Sequence, residues 1–151
     1  MFHRPFTSYA LDRLAILASA GTLILGCAAL EPAASLPEGA VQMEAPMSYQ
    51  LWWHRTEGCA ELTGRMDAVT WYVVPGVSTF PTESGDKVGF WTKSPDGTSI
   101  ILAGDYRDHE LVVRHEILHE LLGREGHPEV YFRDRCQLTW DTFGDPAIAL
   151  H

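Results

Sequence analysis

Residues 109–122 carry the pattern that most constrains the fold, because their core-type side chains recur at helical spacing. The side chains on this shared helix face are Leu111, Val112, His115, Leu118, His119 and Leu122. Asp108 is a suitable N-cap, and Glu110 favours the positive end of the helix dipole. Gly123 can end the helix in a left-handed conformation. The pattern predicts one amphipathic helix over residues 109–122.

The predicted helix contains the motif HExxH, with histidines at His115 and His119. Residues four apart lie one above the other on a helix, so both imidazoles can reach one metal ion. Glu116 is turned about a quarter of the circumference away, which suits a carboxylate that accepts a proton from a nearby water. The motif therefore predicts a Zn²⁺ site with Glu116 as general base. The alternative is a histidine pair that is solvated or hydrogen-bonded within the core.

A catalytic zinc site needs a third protein ligand and leaves its fourth position to water. His127 is the first candidate, because the chain can reverse after Gly123 and because Pro128 favours an extended backbone at His127. A His-Pro turn at the surface is the alternative interpretation of this position. Lesser candidates for the third ligand, in decreasing order, are Glu129, Asp134 and Glu120.

Four segments have strand-like composition. Tyr49–His54 is aromatic-rich, and Val69–Val74 is β-branched and aromatic throughout. Val88–Thr92 and Ser99–Ala103 flank a Pro-Asp-Gly turn signal, so we predict that they form a hairpin. The tail after Cys136 is expected to be weakly structured. The tryptophans expected in the core are Trp52, Trp53, Trp71 and Trp91, with a position at the rim of a binding cleft as the alternative for one or two of them.

The first 26 residues are typical of an exported protein. They combine Arg4 and Arg13 with an apolar stretch that is too short for a comfortable membrane span and that ends in Ile-Leu-Gly-Cys27. This ending resembles a bacterial lipobox, which implies a signal peptide over residues 1–26 and a lipidated Cys27. An ordinary signal peptide or anchor helix with an incidental cysteine is the alternative. By the same resemblance, Ala28 implies sorting to the outer membrane.

Residues 27–47 are rich in Ala, Pro and Glu and lack aromatic residues, which predicts a flexible tether. The folded domain is then expected over residues 48–151. With Cys27 lipidated, Cys59 and Cys136 form an even pair in an oxidising compartment, which favours a disulfide. Two free thiols or two thiolate zinc ligands are the alternatives.

The formal net charge is −9, and no cluster of Lys and Arg occurs. Nucleic acid is therefore excluded as an expected partner. The remaining expected partners are a peptide or protein substrate and, through the lipid anchor, a membrane.

The segment HEILHELLGREGHP resembles the zincin zinc metallopeptidases, although the spacing from His119 to His127 is longer than in the metzincin pattern. The resemblance implies an α+β fold, in which a small twisted, mainly antiparallel sheet packs on the HExxH helix. It also implies that an edge strand, Val88–Thr92 or Ser99–Ala103, pairs with an extended peptide substrate. Tyr106 and Tyr131 are possible oxyanion donors, with packing as the favoured alternative.

The order of motifs along the chain also resembles small bacterial lipoproteins. The shared features are a WYVVPG strand, the VRHExLHxLLG helix, a GHP segment, an aromatic residue and a final cysteine. Together the two resemblances imply a zinc peptidase anchored in the bacterial envelope. A non-catalytic zinc-binding or structural lipoprotein is the alternative, and a disulfide-linked interaction module would require an accidental HExxH.

Overall fold

A computed structural model of the chain describes residues 36–143. The strands are β1 (Val41–Met43), β2 (Val69–Val74), β3 (Phe80–Thr82), β4 (Gly85–Lys87), β5 (Gly89–Ser94) and β6 (Gly97–Ala103). The helices are α1 (Met47–Ala60) and α2 (Glu110–Leu122), with 3₁₀ turns at Met66–Ala68 and Gly104–Tyr106 and a π-helix at Val130–Arg135. The predictions for residues 1–26 and Cys27 lie outside the described residues.

Four of the strands form one sheet in the order β1-β2-β6-β5, and β3 pairs with β4 in a separate hairpin. Within the four-stranded sheet, β2 and β6 are parallel and the other neighbours are antiparallel. The described part of the chain is thus a mixed fold of helices and a small, mainly antiparallel sheet. This agrees with the predicted α+β class.

The two strongest strand predictions are confirmed. The segment VTWYVV forms β2 with the predicted bounds. The segments around Pro95 and Asp96 form the β5–β6 hairpin, in which Ser94 lies opposite Gly97. Gly97 has φ 134°, a conformation that residues with a Cβ rarely adopt, so the glycine permits this tight turn.

The prediction of a strand at Tyr49–His54 is wrong, because these residues belong to α1. Its buried side chains are Tyr49, Trp53, Thr56 and Ala60. Their spacing of three and four residues is helical, whereas the six-residue window that predicted a strand showed only aromatic composition. The helix follows Pro46 and ends at Glu61, which has φ 56°.

The folded part also begins earlier than predicted. Val41–Met43 lie in β1, which pairs with Val73–Trp71 of β2, so the tether prediction is wrong for these residues. In α2 the predicted bounds are confirmed to within one residue, but the N-cap is His109 rather than Asp108 and makes no side-chain capping bond. Gly123 has φ 62° and ends the helix as predicted.

Both helices contribute to the core on one face of the sheet. The cluster that joins the helices to this face consists of Tyr49, Trp53, Val69, Trp71, Trp91, Ile100, Leu102, Val112, Val113 and Ile117. Trp53, Trp71 and Trp91 are buried in this cluster as predicted, and the half-buried Trp52 packs against it. Val74, Phe80, Ile101 and Ala103 form a second cluster, in which Phe80 comes from β3. No helix in residues 36–143 is long and apolar enough to cross a membrane.

Candidate metal centre

Helix α2 brings the two histidines of the motif together on one face, one turn apart. The ring centroids of His115 and His119 are 5.0 Å apart. The chain reverses after Gly123 and returns His127 to the same place. The Nε2 atom of His127 lies 2.9 Å from Nε2 of His115 and 3.2 Å from Nε2 of His119. Within residues 36–143 these three histidines form the one group of side chains that could hold a metal ion.

The protons available to these rings are too few for the contacts that the rings make. Nδ1 of His115 lies 2.9 Å from the carbonyl oxygen of Leu138, and Nδ1 of His119 lies 2.8 Å from that of Arg124. A carbonyl only accepts hydrogen bonds, so each Nδ1 must carry the hydrogen, and each Nε2 of the neutral rings is left with a lone pair. His127 can donate one Nε2–H to one of these lone pairs and leaves the other without a donor. A cation between the three Nε2 atoms satisfies all of them.

Burial keeps the two helical histidines neutral. Loss of hydration lowers the pKa of His115 to about 4 and that of His119 to about 4, against an ordinary value of 6.5. The same cause lowers the pKa of His127. Neutral imidazole is the form that binds a metal, so the site is ready to accept one at neutral pH.

Phe132 of the π-helix lies beneath the three imidazoles. Its ring centroid is 4.8 Å from those of His115 and His127 and 4.9 Å from that of His119. The side chain is 1% exposed and therefore restricts all three rings from one side. Phe132 could not be predicted as part of the site, because a single aromatic residue in a short segment carries no sequence signal of such a role.

Glu116 occupies a buried position between α2 and β5. It is 6% exposed, and burial raises the pKa of its carboxyl to about 8, with the Trp91 main chain and the Lys87 charge acting in the opposite direction. Gly89 leaves the room for this carboxyl, because a Cβ at position 89 would meet its Oε1 at 2.6 Å. The carboxyl thus lies on α2 directly after a histidine of the site and against the strand that borders the cleft.

The lesser candidates for the third ligand lie elsewhere. Glu120 accepts a hydrogen bond from Nε1 of Trp91 at 2.7 Å, which ties α2 to β5. Glu129 and Asp134 are exposed and are not members of the metal-binding group. Of the four candidates for the third ligand, the structure brings only His127 to His115 and His119.

An open cleft of about 510 Å³ runs beside the histidines and Glu116. Its walls include residues 88–91, Val112 of α2 and the exposed Trp140. Strand β5 is at the edge of the sheet, whereas β6 lies between β2 and β5. The suggestion that Ser99–Ala103 could be the substrate-binding edge is therefore wrong, and the β5 segment is the one that borders the cleft.

The two tyrosines considered as oxyanion donors do not line this cleft. Tyr106 packs against His109 and Trp140, and the ring of Tyr131 contacts the guanidinium of Arg135. Both contacts correspond to the packing alternative.

Cys59 of α1 and Cys136 are joined by a disulfide, with their Cα atoms 5.1 Å apart and a sequence separation of 77. This is the pairing expected from the even number of cysteines. Neither sulfur contributes to the metal-binding group, so thiolate ligation of the metal is excluded in the described residues. The bond also holds the segment after the π-helix, and Leu138 in that segment is fully buried. The expectation of a weakly structured tail is wrong for residues 137–143, which form buried contacts and turns.

Comparison with known proteins gives no identification from relatives. No family model matches the chain, and neither a curated protein nor a solved structure matches it.

Proposed function

We propose that this chain is a zinc-dependent peptidase, with His115, His119 and His127 as zinc ligands and Glu116 as general base. The observation that carries the proposal is the convergence of one ring nitrogen from each of three histidines within 4.8 Å of one another, beside a buried carboxyl in an open cleft. Each of these features has a simpler explanation alone. Their combination is the arrangement with which a zinc site can hydrolyse an amide.

The donor set supports zinc in particular. Three neutral imidazoles suit a borderline-soft ion with a tetrahedral preference, and three protein ligands leave one position open for a reacting group. The two Nδ1–H···O=C bonds of His115 and His119 fix the ring orientations, as is usual around a zinc site. When bound, zinc would polarise a substrate carbonyl and lower the pKa of water toward neutrality.

Glu116 has the position of a proton acceptor, and because burial raises the pKa of its carboxyl, the ionised form is a stronger base than an exposed glutamate. Its side chain lines the cleft and lies next to His115 in sequence, so it is near the reacting groups without belonging to the ligand set. The carboxylate would take a proton from the attacking water and pass it to the leaving amine. Because the base is buried, little water competes with that transfer.

An extended peptide is the substrate class that the cleft favours. Strand β5 forms its ladder with β6 alone among the described strands, which leaves its other edge without a strand partner. The main chain of residues 88–91 can therefore hydrogen-bond to a peptide laid along the cleft. The same edge holds Gly89 against Glu116, so a peptide bound there would pass the general base.

The proposed location is the bacterial envelope, with the chain anchored through a lipidated Cys27. The sequence Ile24-Leu25-Gly26-Cys27 after an apolar stretch supports it. The Cys59–Cys136 bond also suits an oxidising compartment. The protein is expected to label with fatty acid, and Cys27→Ser should abolish the label. An unlabelled wild-type protein would contradict the anchor.

Glu116→Gln tests the catalytic proposal, because the amide keeps the shape of the carboxyl and cannot accept the proton. We expect the purified full-length variant to retain zinc and to lose about 10²- to 10⁴-fold in hydrolysis of casein or a mixed peptide library. Glu129→Gln makes the same change at an exposed position outside the cleft and should keep full activity. A zinc-loaded wild-type protein that cleaves nothing would favour the non-catalytic zinc-binding lipoprotein.

A further inference from the structure

The two helical histidines are oriented by carbonyls that lie at very different distances from them along the sequence. His119 donates from Nδ1 to Arg124, which is five residues away at the end of the same helix. His115 donates from Nδ1 to Leu138, which is 23 residues away. The orientation of His119 is therefore secured wherever α2 and its end are formed. The orientation of His115 depends on where a distant segment of the chain is held.

Three constraints hold that segment near His115. The Leu138 side chain is fully buried, and its N–H donates to the carbonyl of Phe132 at 2.6 Å. The N–H of Cys136 donates to the carbonyl of Tyr131 at 3.0 Å. Between them Gln137 has φ 53°, a left-handed conformation that is costly for a residue with a Cβ. The turn that aims the Leu138 carbonyl is thus unfavourable by itself and needs support from its neighbours.

The disulfide supplies that support two residues before Leu138. It ties Cys136 to Cys59 on α1. Helix α1 packs against α2 through the cluster that joins both helices to one face of the sheet. Cys136 also lies in the same buried cluster as Leu138 and Phe132, the residue beneath the three imidazoles. A continuous set of contacts therefore runs from the disulfide to the ring of His115.

From these contacts we propose that the Cys59–Cys136 disulfide is a positioning element of the metal centre, and that its reduction weakens zinc binding through His115. Reduction by a dithiol takes up two electrons and two protons, breaks the S–S bond into two thiols and converts the dithiol to its own disulfide. The Leu138 carbonyl then loses its fixed place, and the Nδ1–H of His115 loses its acceptor. The inference rests on the zinc site proposed above and adds redox dependence to it.

The test compares zinc affinity of the purified full-length protein with and without the bond, by competition with a chromophoric chelator. Removing the orienting partner of a metal ligand typically costs 10- to 100-fold in affinity, so Cys59→Ser/Cys136→Ser should bind zinc about 10- to 100-fold more weakly. Val74→Ala is the matched control, because it weakens a core cluster that contains neither the histidines nor the disulfide. It should lower stability and leave zinc affinity unchanged.

Nitrogen-15 NMR of the imidazoles gives a readout that general destabilisation would not produce. In the folded metal-free protein, both His115 and His119 are expected to show a protected Nδ1–H. Without the disulfide the His115 signal should be lost to exchange, while the His119 signal should remain because its acceptor belongs to the end of α2.

The outcomes separate this inference from the proposed function. An oxidised wild-type protein that binds no zinc contradicts the metal centre itself. Wild-type affinity in a folded disulfide-free variant, with the His115 signal retained, overturns only the role of the disulfide. Should that variant fail to fold, Leu138→Ala is the second variant: it keeps the Cys59–Cys136 disulfide and removes the buried side chain that holds the Leu138 carbonyl in place. It is then expected to weaken zinc binding, and unchanged affinity would equally overturn the proposal.

Discussion

Gly89 lies against the carboxyl of Glu116, so closely that a Cβ at position 89 would come within 2.6 Å of Oε1 and within 3.0 Å of Cγ. The same Cβ would also lie 2.9 Å from Cγ1 of Val112, one helical turn before Glu116. Both neighbours belong to α2, which is packed on β5, so neither can move freely. The glycine thus permits the approach of the edge strand to the Glu116 carboxyl.

Gly89→Ala is therefore expected to displace Glu116 while leaving the three histidines in place. We predict a loss of kcat/KM of at least about tenfold on peptide substrates, because a small misplacement of a catalytic group is costly. Zinc content should not change. Gly58→Ala is the control, since a Cβ at that position on α1 meets nothing within 4 Å. Equal activities of the two variants would contradict the positioning role of Gly89.

The hydrogen bond from Trp91 to Glu120 predicts that Trp91→Phe destabilises the protein more than Trp52→Phe does. Trp91→Phe removes an indole N–H that donates to a carboxylate at 2.7 Å. The expected loss is about 1.5–3 kcal/mol of unfolding free energy, as is typical of hydrogen bonds to charged groups. Trp52→Phe is the matched change at a half-buried position that stacks on Tyr49. Urea unfolding should show the smaller loss for Trp52→Phe, and similar losses would argue against the bond.

The stability of the metal-free protein should pass through a maximum near pH 6.5. Burial lowers the pKa of His115 and His119 from 6.5 to about 4, so below pH 6.5 the unfolded chain binds protons that the folded chain does not. The free energy of unfolding should therefore decrease as the pH is lowered from 6.5 to 4. Burial raises the pKa of Glu116 from 4.5 to about 8, so the folded chain holds a proton that the unfolded chain has lost. As the pH rises above 6.5 the histidines become neutral in the unfolded chain too, so the proton on Glu116 dominates and stability should fall as pH rises toward 8.

Glu116→Gln isolates the second effect, because it removes the titrating carboxyl and keeps the histidines. Unfolding of the chelator-treated variant should lose the decline above pH 6.5, which for one full proton has a slope of about 1.4 kcal/mol per pH unit. The decline in acid should remain. A variant that keeps the decline above pH 6.5 would show that another group causes it.

The parts of the fold that follow from local patterns could be predicted from sequence. The helical spacing of α2 and the glycine that ends it are both visible within its own segment. The strand segment VTWYVV and the Pro-Asp-Gly turn signal of the hairpin are equally local. Helix α1 was mistaken for a strand because its aromatic residues favour strands and its helical spacing appears only over the whole of Met47–Ala60. Strands β3 and β4 have three residues each, too few to show any period.

The same division holds for the candidate site. His115, Glu116 and His119 follow from helical spacing, and His127 follows from the glycine and proline around its turn. The roles of Phe132 and Leu138 depend on long-range packing. In addition, Leu138 acts through its main-chain carbonyl, which every residue type possesses. The need for a glycine at position 89 arises only because β5 lies against α2 in the folded protein.

Zinc content of the purified full-length protein tests the central claim most directly. His115→Ala, His119→Ala and His127→Ala each remove one ligand of the proposed site. His54→Ala removes an exposed histidine on α1 whose Nδ1 lies 3.0 Å from the carboxylate of Glu57. Elemental analysis after dialysis should find stoichiometric zinc in the wild type and in His54→Ala, none in His115→Ala or His119→Ala, and weakened binding in His127→Ala. Stoichiometric zinc in His115→Ala, at wild-type affinity, would contradict the metal centre.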